Sequence, residues 1–112
     1  MIPKDLVAAS ARPMLLSILS EGENYGYALI QRVRELSGGE LEWTEGMLYP
    51  VLHRLEREGL IASEWKEAET GRERKYYQLN QSGRNALAEE RSRWLTVHNS
   101  LCKLWGIQPA SI

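Results

Sequence analysis

One cysteine, Cys102, is all the thiol chemistry this 112-residue chain possesses. An internal disulfide framework is therefore excluded, and a reducing compartment, the cytoplasm, is expected. No apolar run approaches the roughly 18 residues that a membrane span needs. The opening stretch is apolar only in pieces, broken by Asp5 and Arg12, and lacks the order of a signal peptide. Repeats, low-complexity tracts and long linkers are missing as well. Catalysis finds no nucleophile with a base, no glycine-rich phosphate loop and no cluster of carboxylates with an evident task. No enzyme and no cofactor are expected. A surplus of charge is absent too: 14 basic against 15 acidic residues leave a net charge of −1. Many nucleic-acid binders are strongly basic, so the overall balance speaks against one. A duplex feels only the face presented to it, however, and the basic residues cluster in two places.

What is present is enough for one compact domain, since 43% of residues are hydrophobic and 26% charged. Residues 5–20 carry Leu6, Val7, Met14, Leu15, Ile18 and Leu19 on one stripe, a buried helix in which Pro13 forces either a kink or a new start. Asn24 is placed to cap a second helix over 25–37, ended by Ser37-Gly38-Gly39. Thr44 caps a third, which runs to Gly59 and buries Met47, Leu48, Val51, Leu52 and Leu55. Two strand-like segments, Leu60–Lys66 and Lys75–Leu79, flank a turn at Thr70-Gly71 and form a hairpin. Asn80 opens a last helix with no breaker before Gly106.

Three helices, a hairpin and a closing helix are the order of a winged helix-turn-helix protein, mainly α with a small β-hairpin. Its third helix enters a major groove and its hairpin reaches the flanking backbone. With Leu48, Leu52 and Leu55 inward, the opposite side of the third helix offers Thr44, Glu45, Gly46, Tyr49, Pro50, His53, Arg54 and Arg57. Gly46 lets the backbone approach DNA, and Tyr49 brings a hydroxyl and a flat face. Pro50 lies beyond the tolerated first turn and costs about 3 kcal/mol in an ordinary helix, which a local bend could offset. Arg72, Arg74 and Lys75 against Glu73 make the hairpin tip basic and suited to phosphates. The blander alternatives are arginines that pair with Glu56 and Glu58, and a charged edge that blocks sheet aggregation. Of Tyr76 and Tyr77, one packs inward and the other faces out.

The last helix is about 40 Å long if it runs unbroken to Gly106, more than a domain of this size can cover. Leu87, Trp94 and Leu101 recur every seven residues, with Val97 and Leu104 on the adjacent line and Trp105 beyond. These six residues are the expected dimer interface, because a monomer would leave most of them in water. His98 and Cys102, at i and i+4, form half a metal site at most; an interface histidine beside a buried thiol is the simpler reading.

The motifs then point to a family. Tyr25-Gly26-Tyr27, Gly46-Met47-Leu48-Tyr49-Pro50, the run from Leu55 to Gly59-Leu60-Ile61, and Arg72, Arg74, Lys75, Tyr76 and Tyr77 together closely resemble the PadR-like transcriptional regulators. The resemblance covers about residues 13–106; Asn80 stands where threonine is usual, and either residue caps a helix. It implies a winged-helix domain over 1–79 and a dimerising helix and tail over 80–112. It further implies a homodimer on an inverted-repeat operator in double-stranded DNA, most simply a repressor, released by a small aromatic or amphipathic effector. Trp94 resembles the tryptophan that can line a pocket between subunits in such proteins. The alternatives are a winged-helix protein-interaction module, which the near-neutral charge favours, and a dimer whose function is to bind a small molecule.

Overall fold

The computed structural model describes residues 2–108. Helix α1 spans Lys4–Ser20 and buries Ala11, Leu15, Leu16, Ile18 and Leu19. Pro13 neither ends nor restarts it, and the helix is continuous through that residue. After a polar break, Asn24–Tyr25 form a short strand, β1, and α2 follows over Gly26–Leu36. The expected cap at Asn24 is corrected here. Asn24 is extended and pairs with Tyr77, while Tyr25 takes the capping position without a side-chain bond. Two residues are too few to show an alternating pattern, so only the partner strand reveals β1.

Helix α3, Glu45–Arg57, starts where its sequence says it should, because the Thr44 hydroxyl accepts the Met47 N–H. It stops where Gly59 turns left-handed: Leu60 N–H reaches the Leu55 carbonyl, and Gly59 N–H reaches that of Glu56. Pro50 sits inside it without interrupting it. Strands β2, Ile61–Glu67, and β3, Glu73–Leu79, then form the hairpin, each reaching further toward the tip than the sequence suggests. The sheet has three strands in the order β1-β3-β2, all antiparallel, instead of the two expected. Asn80 caps α4, Gln81–Trp105, by accepting the Gly83 N–H.

The core lies where α1, α2, α3 and the inner face of the sheet converge. Leu15, Leu16, Leu29, Leu48, Leu52 and Leu55 are fully buried there, with Tyr77 and Leu79 from β3. Each such leucine contributes about 1.5–3 kcal/mol by leaving water. Trp43, in the connection between α2 and α3, joins this core. The register carries the inner face outward, since Ile61 pairs with Leu79, Ser63 with Tyr77 and Trp65 with Lys75. The start of α4 is pressed so tightly onto the hairpin that a Cβ at Gly83 would collide with the Leu60 carbonyl and the Leu79 side chain. Beyond that anchorage α4 extends away from the core, and the molecule measures 52 × 30 × 24 Å.

Candidate nucleic-acid interface

A concavity of about 710 Å³ opens between the start of α2, the exposed side of α3 and the hairpin. From α3 come Glu45, Tyr49 and His53; from the hairpin come Arg72, Arg74 and Lys75. Six of the ten residues expected from sequence at the DNA surface thus share one space. Next to it a shallow depression of about 690 Å³ is lined by Pro50, His53, Arg54, Glu56 and Arg57, and His53 belongs to both. Thr44 and Gly46 lie outside the two. Thr44 is the helix cap, and a Cβ added to Gly46 would meet only the Thr44 hydroxyl at 4.0 Å. The fold itself does not require glycine at 46.

Tyr49 has a structural part as well. It is half-buried, packed on the core, and its ring lies against Gly26, where any Cβ would collide with the phenol oxygen. The Tyr25-Gly26-Tyr27 motif thus has a steric basis: α2 and α3 approach closely at Gly26. Tyr77 is 1% exposed, and burial pushes its phenol up to about 12, with nearby Tyr49 and Glu56 adding to the effect. Tyr77 is therefore the inward tyrosine. Tyr76 lies on the other face, edge-on to Tyr25 with ring centres 5.5 Å apart.

Charge is distributed unevenly. Away from the concavity, four arginines are tied to carboxylates, Arg12 to Glu58 and Glu90, Arg32 to Glu21, Arg34 to Glu42, and Arg93 to Glu89, while Arg84 and Arg91 of α4 are in no ion pair among the described residues. Toward the turn end of the hairpin, Lys66 holds Glu23 at 2.8 Å. By contrast, among the described residues Arg54, Arg57, Arg72, Arg74 and Lys75 have no carboxylate within 4 Å. The pairing of Arg54 and Arg57 with Glu56 and Glu58 considered from sequence does not form, because Glu56 accepts from the Ser63 hydroxyl and Glu58 is engaged by Arg12. Aromatic rings steady two of the open cations instead. The Arg74 guanidinium lies 4.3 Å from the Tyr25 ring centre, and the Lys75 ammonium 5.6 Å from that of Tyr77. A chain of net charge −1 thereby presents a locally positive surface.

Six wall residues were not among the expected DNA contacts: Tyr25, Gly26, Tyr27, Trp65, Glu73 and Tyr77. For Trp65 a signal was available. It stands two and four residues beyond Ser63 and Ile61, on the strand face that carries the core. At the far end of the molecule, the six residues expected at a dimer interface divide. Leu87 packs against the chain's own core and Trp94 is half-buried. Val97, Leu101, Leu104 and Trp105 are exposed, Leu104 by 80% and Trp105 by 65%, with Ile107 beside them. His98 Nε2 and Cys102 Sγ are 3.5 Å apart, the histidine exposed and the thiol buried.

Three helices, a sheet whose last two strands project as a wing, and open cations between the wing and the third helix define a winged helix-turn-helix protein of the DNA-binding class. Residues 15–89 match the Transcriptional regulator PadR-like family, and the chain belongs to that family, one of regulators and not of enzymes. A transcriptional regulator of Mycobacterium tuberculosis is 38% identical over 88 residues, covering 79% of this chain and 78% of the relative. Among solved structures, a PadR-like transcriptional regulator from Bacillus cereus superposes with a TM-score of 0.81 at 28% identity, over 94% of this chain and 100% of that one. A transcriptional regulator from Clostridium thermocellum gives a TM-score of 0.81 at 27% identity, over 92% and 97% of the two chains. No helix among the described residues is long and apolar enough to cross a membrane.

Proposed function

We propose that the chain is a homodimeric repressor that binds an inverted-repeat operator and is released by a small aromatic or amphipathic effector. The observation that carries the reading is the shared concavity, which Arg72, Arg74 and Lys75 line together with α3, none of them in an ion pair although Glu45 and Glu73 lie in the same wall. Glu45, Gly46, Tyr49, Pro50 and His53 would meet the groove, with Thr44 holding the helix start. Arg54 and the three wing cations would hold phosphates. Residues 1–79 supply this DNA-binding unit. Residues 80–112 supply the contact between subunits, with Met1 and 109–112 lying outside the described residues.

Dimerisation is supported by the apolar end of α4. Leu104 and Trp105, with Val97, Leu101 and Ile107, form an exposed apolar surface on a helix that extends beyond its own core. Such a surface is stable in water when a second copy covers it, and a two-fold pair would present two α3 helices to successive turns of one DNA face. Trp94, half-buried between the anchored and the exposed halves of α4, is the residue an aromatic effector would stack on. A ligand there would change the angle between the subunits and so the spacing of the two α3 helices.

The experiment is selection from a randomised duplex pool with purified protein at near-physiological salt. Enrichment of an inverted repeat is the expected result. A pool that stays flat even at low salt would remove the operator reading.

A further inference from the structure

We propose that Trp65 is a DNA-contacting residue of the wing, laying its indole on the deoxyribose–phosphate backbone beside the groove that α3 enters. The inference rests on the DNA-binding reading above and adds an apolar contact to a wing otherwise described by its charges.

The placement follows from register. Ile61, Ser63 and Trp65 occupy alternate positions of β2, opposite Leu79, Tyr77 and Lys75 of β3. Ile61, Tyr77 and Leu79 are buried, so this is the face of the sheet that closes the core. Trp65 is the next position outward. Nothing covers it to the same degree, and it is 64% exposed. It lines the same 710 Å³ concavity as Tyr49 and His53 on α3 and Arg72, Arg74 and Lys75 on the wing. A large ring left in water at the edge of a core gains nothing by folding, and a strand position so exposed is ordinarily polar.

Chemistry then selects the surface that fits. The indole offers flat apolar faces and a single N–H that donates and never accepts. A DNA backbone presents the complement, with C–H faces on each deoxyribose and phosphate oxygens that only accept. Lys75 stands opposite Trp65 across the strand pair, and Arg72 lines the same concavity as the ring, so phosphates drawn to those cations bring a sugar within its reach. A protein partner would also cover an indole, but it would need carboxylates placed to meet Arg72, Arg74 and Lys75, which outnumber Glu45 and Glu73 in the same concavity. A uniformly anionic backbone meets these cations without further specification.

The contact is separable from the charges around it, because apolar burial releases no counterions. Duplex affinity is to be measured against salt for the whole chain, for Trp65→Ala, for Trp65→Phe and for Arg72→Ala. Trp65→Ala is expected to weaken binding about tenfold with an unchanged salt slope, and Trp65→Phe to weaken it only a few-fold. Arg72→Ala is expected to flatten the slope by about one unit. In parallel, the protein is labelled with 5-fluorotryptophan, and the resonance absent from Trp65→Phe identifies position 65. That resonance is expected to shift when duplex is added. If duplex binds with the salt dependence of Arg72 intact while the Trp65 signal stays still, the proposal is overturned, even where Trp65→Ala lowers affinity. If the unmodified chain binds no duplex at any salt, the DNA-binding reading itself has failed, and this inference with it.

Discussion

Gly26 and Tyr77 show how single residues set the geometry of the concavity. Gly26 is glycine because the Tyr49 ring occupies the place of its Cβ. Gly26→Ala must push Tyr49 aside or separate α2 from α3, and overpacking of this kind costs about 1–3 kcal/mol. Urea unfolding checks it. A Gly26→Ala, Tyr49→Phe double variant, which lacks the colliding oxygen, is expected to recover part of the loss. A loss that is the same in both backgrounds would show that the hydroxyl is not the obstacle. Tyr77 allows a prediction in pH. Its phenol titrates near 12 in the folded protein against an ordinary value of 10, so the native state holds the proton longer. The associated stability is complete below pH 10 and is lost as pH rises from 10 towards 12. Ultraviolet titration should show one tyrosine ionising above the rest, and Tyr77→Phe should reduce the alkaline fall in stability.

Among elements, α1 acts as the tie between α3 and the helix that leaves the core. Arg12 donates to Glu58, just past the end of α3, at 2.7 Å and to Glu90 of α4 at 2.9 Å. The hydrogen bond from Arg12 holds the Glu58 carboxyl below the usual carboxylate range; the charges of Arg12, Arg54 and Arg57 assist, and partial burial opposes them. A depressed folded value means stability that is present above the ordinary carboxylate pKa and lost as pH falls through the depressed one. Arg12→Ala should therefore lower stability at neutral pH by about 1 kcal/mol, the modest size expected of a half-exposed pair. The gap between variant and parent should close on acidification below about pH 4. A gap constant across pH would mean that Arg12 acts by packing alone. Thr44 and Asn80 give a simpler element-scale expectation. Thr44→Ala should cost about 1 kcal/mol by removing the hydroxyl that the Met47 N–H shares with the Thr44 carbonyl at the start of α3.

For the whole molecule, the exposed end of α4 decides the assembly. Leu104→Glu and Trp105→Glu place charge on the apolar surface proposed to join two copies. Each is expected to weaken self-association at least about tenfold in sedimentation equilibrium. Thermal stability of the winged-helix part should change little, because neither side chain belongs to the core. Binding to a duplex with two half-sites should fall, while binding to one half-site should hold. Unchanged association in both variants would move the interface elsewhere.

Much of this protein was legible in its sequence, and the reason is local. Thr44, Asn80 and Gly59 act on backbone groups within a few residues of themselves, so α3 and the start of α4 were readable. Leu48, Leu52 and Leu55 share a face by helical period alone, and turn chemistry at Thr70-Gly71 made the hairpin visible. The motifs added the family itself, which residues 15–89 match. Partners remote in the chain were not legible. Strand β1 exists only because Asn24 and Tyr25 find Tyr77 and Tyr76 some fifty residues later. The structural role of Tyr49 depends on Gly26, and the split along α4 depends on which of its turns rest on the core. Charge shows the same division. Sequence determined that the chain is near neutral, but tertiary structure decided which cations are spent on carboxylates and which stay open beside α3. Helical period and capping are short-range and written in neighbouring residues; ion pairs, register and close approaches are made across the fold, where only packing selects the partner.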